Sequence, residues 1–312
     1  MSAADAGTAG TGKAGARRRV TLADRDGFLA WAMLLPSVVY ILALVGVPFV
    51  LAIAFAFSDV TTGDPSFDWV GFGNFDAIFG DRVFWRSLRN TLVFTLISMV
   101  LIVVLSKILA NILIADFRGK WFVRFLVLLP WTTPVALSTI SWLWFLDSIY
   151  SPIDWVLRHL GMIEENVVWL GGPGTAMASV IAVHVWRLTP LAAVIVMAGL
   201  IAIPRDIDEA ARIDGAGFWR RMFEITVPLA LPVIAVAGLF GAIMTFTDMT
   251  VSYVLTRGGP THATDTLASW AYFRGIEGGD VGQGAAIALF LFPILLAGAI
   301  AILRAVRRLG AE

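Results

Sequence analysis

Six stretches of this chain are long and apolar enough to cross a lipid bilayer, and this constrains the fold more than any other feature. A spanning helix needs about 20 mostly apolar residues in a row. Phe28–Phe57, Thr91–Ala115, Phe122–Leu146, Ala176–Ile203, Leu229–Leu255 and Gly284–Ala305 all reach that length. Within hydrocarbon only helices and closed barrels satisfy their own backbone polar groups. Barrel strands run to about 10 residues and alternate apolar with polar, which these runs do not. The expected fold is therefore an all-α integral membrane protein with six transmembrane helices. The composition agrees: 58% of residues are hydrophobic and 15% charged.

Residues 1–27 read differently, being rich in Ala, Gly and Thr with a basic cluster at Arg17, Arg18 and Arg19. They are expected to form a flexible cytoplasmic arm, leaving 28–312 as the membrane domain. A basic stretch before an apolar one also fits a signal peptide. The run that follows is longer than the roughly 7–15 residues of a signal core, so it reads as an uncleaved first helix.

Lysine and arginine placement sets the expected direction. The arm, the loop after the second span, the loop after the fourth span and the tail together hold fifteen of these cations, and the opposite loops hold six. Both termini, and the loop 204–228, are thus expected in the cytoplasm.

Several classes of function are disfavoured. The formal net charge is zero, which gives no electrostatic case for nucleic acid. Cysteine is absent and the three histidines, His159, His184 and His262, lack metal-ligand spacing, so no metal site and no bound cofactor are expected. An enzyme would want histidines and carboxylates clustered at helix ends, and a secondary transporter would show inverted repeats. Neither pattern is present. A single six-helix unit is a small pathway by itself, which points to a partner subunit. Prolines interrupt the spans at Pro36, Pro48, Pro130, Pro134, Pro190 and Pro293. Each can kink its helix around a cavity or simply be tolerated.

The loop 204–228, PRDIDEAARIDGAGFWRRMFEITVP, is more than a connector. Pro204 and the acidic Asp206, Asp208 and Glu209 suit a helix start. Ala210 and Ala211 favour helix, and Gly215 offers a C-terminal turn. A second short helix is expected over 216–226, with Pro228 marking the start of the fifth span. Such a knob can enter a cleft in a soluble partner or lie on lipid; the pattern alone leaves both open.

Glu209-Ala210-Ala211, three residues, Gly215, nine residues, then Ile225, Val227 and Pro228 resembles the EAA signature of ABC-importer permeases. Val227 stands where the signature has leucine. The stretches 186–190 (WRLTP), 213–216 (IDGA), 246–248 (FTD) and 253–260 (YVLTRGGP) resemble the carbohydrate-importer branch, of maltose and glycerol-phosphate type. The resemblance covers a permease core of about 86–305. It implies that Glu209, Ala210, Ala211, Asp214 and Gly215 form a coupling helix between spans 4 and 5, with Ile225 and Pro228 closing the motif. It also implies two cytoplasmic ATPase subunits that use ATP and magnesium, a second permease of different sequence and an extracytoplasmic solute-binding protein, in a bacterial cell membrane. This chain has no G-x-x-x-x-G-K-[ST] sequence, so hydrolysis would fall to the partners and the chain would be a transport subunit. Carbohydrate is the expected solute; glycerol phosphate, another polar solute or an ion-driven transporter are the alternatives.

Charges inside a bilayer cost about 2.5–3.5 kcal/mol on insertion scales, so the ionisable residues of the spans matter. Lys107 lies near a helix end and can snorkel. Arg187 and Asp248 are deeper and are expected to face the interior, either paired with one another or touching solute. Trp186 and Phe246 could stack on a sugar ring or serve as packing and interface residues. Tyr253, near the outer surface, could line the path, meet a delivery protein or simply end a helix.

Overall fold

The computed structural model describes residues 26–64 and 66–309. The arm expected over 1–27 lies outside them apart from its last two residues. The chain divides into two units, Met1–Leu51 and Ala52–Glu312. The first contains α1 (Asp26–Ile41), a π-helical turn (Leu42–Gly46) and the start of α2 (Val47–Ala56). Among the described residues five helices are long and apolar enough to span a membrane: Leu29–Ala56, Arg82–Ile114, Pro173–Ile201, Phe218–Phe246 and Val281–Ala305. The bent pair Lys120–Thr132 and Val135–Phe145 brings the number to six when it is counted as one span. The one strand-like pairing described is the isolated bridge between Ser58 and Trp69.

After a short α3 (Gly73–Gly80), the second unit is built on α4 (Arg82–Ile114), whose first turn is capped by Asp81 accepting from the Val83 N–H. Then come α5 (Lys120–Thr132), α6 (Val135–Phe145), α7 (Pro152–His159), α8 (Pro173–Ile201) and the short α9 (Arg205–Ile213). α10 (Phe218–Arg220), a π turn (Arg221–Thr226) and α11 (Val227–Phe246) run on as one helix. α12 (Thr250–Thr256), α13 (Leu267–Tyr272) and α14 (Val281–Leu309) complete the unit. The core lies where α4, α8 and α11 meet, with Phe94, Ile102, Val180, Val196 and Ala237 buried. Lipid tails are as apolar as leucine, so helix association depends on close contact through small residues. Gly199 of α8 shows this: a Cβ there would come within 2.6 Å of the Val233 side chain. A second cluster, around Phe84, Leu267 and Ile287, joins α4, α13 and α14.

Three expectations are corrected. The third span is not one helix over Phe122–Leu146: α5 and α6 meet at a bend of 100°. Pro134 opens α6, and the residue before it, Thr133, is extended (φ −78°, ψ 137°), as the proline ring demands. Pro130, by contrast, stays inside α5. The fifth span does not reach Leu255 unbroken. It stops at Phe246 and resumes at Thr250, leaving Asp248 in the gap. It also begins at Phe218 rather than after a separate short helix. A π turn makes that continuity possible. Pro228 lacks an N–H, and its ring would crowd the carbonyl four residues back; the widened turn, with Val227 N–H on the Met222 carbonyl, accommodates it. The same device precedes Pro48, where Val47 N–H reaches the Leu42 carbonyl.

Candidate functional site

Two places concentrate polar chemistry, the gap between α11 and α12 and the knob α9. In the gap, Arg187 of α8 donates from Nη2 to Asp248 Oδ2 at 3.0 Å. The two side chains are only 14% and 8% exposed. The other carboxylate oxygen of Asp248 accepts from the Val251 backbone N–H at 3.1 Å, in the first turn of α12. Asp248 therefore does two jobs: it neutralises a buried guanidinium and satisfies an orphan donor of a broken helix. His184, one turn before Arg187, is fully buried. Thr245 donates its hydroxyl to the Gly241 carbonyl at 2.7 Å, so its oxygen accepts from His184 Nε2 at 2.9 Å. His184 Nδ1 makes no hydrogen bond and lies 3.9 Å from Asp248 Oδ2. Arg187 Nε is likewise unpartnered. Polar groups and irregular backbone together at membrane depth mark a buried polar site.

The other expected pathway residues are not gathered there. Trp186 is partly exposed and sets its ring edge-on against Trp142, with centroids 5.3 Å apart. It lines an apolar cleft of about 710 Å³ with residues of α4 and α5. Phe246 is a core residue, 4% exposed. The Tyr253 hydroxyl donates to Glu277 at 2.7 Å, and Arg257 also reaches Glu277, at 2.9 Å. These two belong to the end of the molecule where the loop 257–266 is fastened onto α4. There Arg86 holds the Thr261 carbonyl and Asn90 holds those of His262 and Asp265. Burial pushes the Asp265 carboxyl above its usual range, against the opposing pull of His262 at 2.6 Å.

At the opposite end, α9 ends in a Schellman turn. Ala216 N–H bonds the Ala211 carbonyl and Gly215 N–H the Arg212 carbonyl. Gly215 has φ +77°, a conformation that costs other residues about 1–2 kcal/mol; no atom would obstruct a Cβ there, so the need for glycine is conformational. Ala211 is buried, whereas Glu209, Ala210, Asp214 and Gly215 are exposed. Ile225, half-buried, lines a cavity of about 480 Å³ with Ala210, Ala211 and Asp214, and Pro228 is exposed beside it in sequence. Ile213, at the tip, is 86% exposed.

The sequence reading missed Asp208 as the residue that anchors the knob. It accepts from Arg212 on its own helix at 2.8 Å and from Arg221, at the foot of the fifth span, at 3.0 Å. The first contact has visible i,i+4 spacing; the second crosses the Gly215 turn and has no sequence signal. Arg124, by bonding the Leu113 carbonyl, satisfies an acceptor in the last turn of α4.

Residues 102–310 match the family described as "Binding-protein-dependent transport system inner membrane component". The chain is 32% identical over 284 residues to the sulfoquinovosyl glycerol transport system permease protein SmoG of Agrobacterium fabrum, covering 90% of this chain and 91% of that one. It is 34% identical over 272 residues to the trehalose/maltose transport system permease protein MalF of Thermococcus litoralis, covering 87% and 91%. Its fold resembles a chain of a bacterial alginate ABC transporter solved with an alginate pentasaccharide-bound periplasmic protein, at a TM-score of 0.78 and 23% identity, over 94% of this chain and 98% of that one. The chain therefore belongs to the family of inner-membrane components of binding-protein-dependent transport systems, the permease subunits of ABC importers.

Proposed function

We propose that this chain forms half of the pathway of an ATP-driven carbohydrate importer in a bacterial cell membrane, with both termini and α9 in the cytoplasm. The observation that carries the reading is the knob. A short helix bearing the Glu209–Gly215 motif ends in a Schellman turn, is tied by Asp208 to the fifth span, and offers a nearly fully exposed Ile213 to a partner. Glu209, Ala210, Ala211, Asp214, Gly215, Ile225 and Pro228 serve as the ATPase-coupling segment. Two ATPases that bind ATP and magnesium draw α9 toward them as they close. Because α9 is joined through Arg221 to a continuous helix ending at Phe246, the pull reaches the gap at Asp248. A second permease chain supplies the other half, and a solute-binding protein delivers from the opposite face. Carbohydrate is favoured by the relatives named for the transport of sulfoquinovosyl glycerol and of trehalose/maltose.

The pathway in this reading passes the α11–α12 gap. There Arg187 and Asp248 hold the broken helix, and Trp186 offers an aromatic face nearby in sequence. Phe246 supports the gap from within the core, and Tyr253 acts at the far end through Glu277.

The test is co-purification from mild detergent of the tagged wild-type chain and of Gly215→Asp. The wild type should bring down an ATPase subunit and a second permease. The variant, strained at φ +77°, should retain the permease and lose most of the ATPase. A folded wild-type chain recovered alone would place α9 on lipid and end the coupling proposal.

A further inference from the structure

One cation in the spans is used by neither the helix gap nor the motif. Lys107 sits on α4 and is half-buried, and its Nζ has a neutral partner, Asn111 Oδ1, at 3.1 Å. Among the described residues it makes no ion pair with a carboxylate. It lines a cavity of about 230 Å³, shared with Asn111, Asp208, Phe218, Arg221 and Met222. That is several times the roughly 30 Å³ a water occupies. The cavity is electrostatically unbalanced. Asp208 is already held by both Arg212 and Arg221. Arg221, four-fifths buried, has a buried Nε with no acceptor. Two cations and one carboxylate thus line the cavity, that carboxylate is already paired, and both cations retain donors without an acceptor.

The surroundings are those of a membrane interface. Phe218, Trp219 and Phe223 are all strongly exposed, and Trp219 stacks on Phe223 at 6.0 Å. Exposed aromatics of this kind sit at the headgroup level, where basic pockets between helices take anionic head groups. We propose that the cavity between α4 and the foot of the fifth span binds the phosphate of an anionic phospholipid, with Lys107 and Arg221 as its donors and Phe218, which lines the cavity, beside its glycerol portion. The same Arg221 holds Asp208, so an occupied cavity fixes α9 against the fifth span. The proposal rests on the helices spanning a membrane, and it needs neither the carbohydrate nor the ATPase assignment.

The experiment is native mass spectrometry of the delipidated importer complex titrated with phosphatidylglycerol or phosphatidylcholine, for wild type, Lys107→Gln and Lys107→Arg. Gln is a good helix former and removes only the charge. The wild type should retain phosphatidylglycerol preferentially. Lys107→Gln should retain it about fivefold less, the effect of one cation near a lipid surface, and Lys107→Arg should keep it. Complex assembly, read in the same spectra, separates failure of this site from failure of the coupling proposal. If the Gln variant does not assemble, added salt applied to the wild type should weaken phosphatidylglycerol retention and spare phosphatidylcholine. Equal retention of the two lipids, or phosphatidylglycerol unaffected in Lys107→Gln, overturns the site. Displacement of the lipid by millimolar inorganic phosphate assigns the cavity to the free anion and overturns the lipid as its source.

Discussion

Replacing Asp248 by alanine should destabilise the membrane domain by about 3–5 kcal/mol, the cost of leaving one member of a buried ion pair alone. The Arg187 guanidinium would be stranded at 14% exposure, and the Val251 N–H would lose its acceptor. Asp248→Asn should cost less, because an amide oxygen can still accept from Val251 while only the charge is lost. The dual role makes a simple charge exchange uninformative: arginine at 248 restores a pair but cannot accept from a backbone donor. The better rescue is Arg187→Met with Asp248→Asn, which removes both charges and keeps the acceptor. That double variant should regain most of the loss, since well-packed neutral replacements for a buried pair are often no less stable. Thermal unfolding of the purified chain in detergent reads all four proteins. A double variant no more stable than Asp248→Ala would show that the pair is not what holds the gap.

The second large effect concerns binding rather than folding. Ile213→Ala should leave the chain's stability within about 0.5 kcal/mol, as expected for a surface position, because the side chain is 86% exposed. Its affinity for the ATPase subunit should fall about 30-fold, corresponding to the roughly 2 kcal/mol of an interface hot spot. An isoleucine left 86% exposed at the end of α9 does nothing for the isolated chain, and a partner pocket would account for it. Titrating ATPase onto immobilised wild type and variant, with unfolding temperature recorded for both, separates the two quantities. Unchanged affinity would remove Ile213 from the interface.

The spans were legible because bilayer thickness sets a length that few other constraints produce. The breaks within them were not. Pro130 and Pro134 look equivalent in sequence, yet α5 continues through the first and the chain turns by 100° at the second. Which proline breaks a helix depends on whether neighbouring helices can satisfy the freed carbonyls. The charged run Arg220, Arg221, Glu224 hid the true start of the fifth helix, although Arg220 and Glu224 pair at 2.8 Å with ordinary helical spacing. The Arg187–Asp248 pair was one of the expected arrangements, because two isolated charges in hydrocarbon are costlier apart than together. The sequence left open whether they meet each other or a solute; the pairing is in the structure. Tyr253 was placed near the outer surface, with lining the path, meeting a delivery protein or ending a helix left open; its hydroxyl bonds Glu277. Asp208 was read only as part of an acidic helix start, since its bond to Arg221 depends on the turn at Gly215.

The most direct test of the account is uptake of a labelled disaccharide into vesicles reconstituted with the complete complex, ATP being supplied on the α9 face and solute-loaded binding protein on the other. Uptake is expected only when both are present. Accumulation driven by an ion gradient in the absence of ATP would contradict coupling through α9.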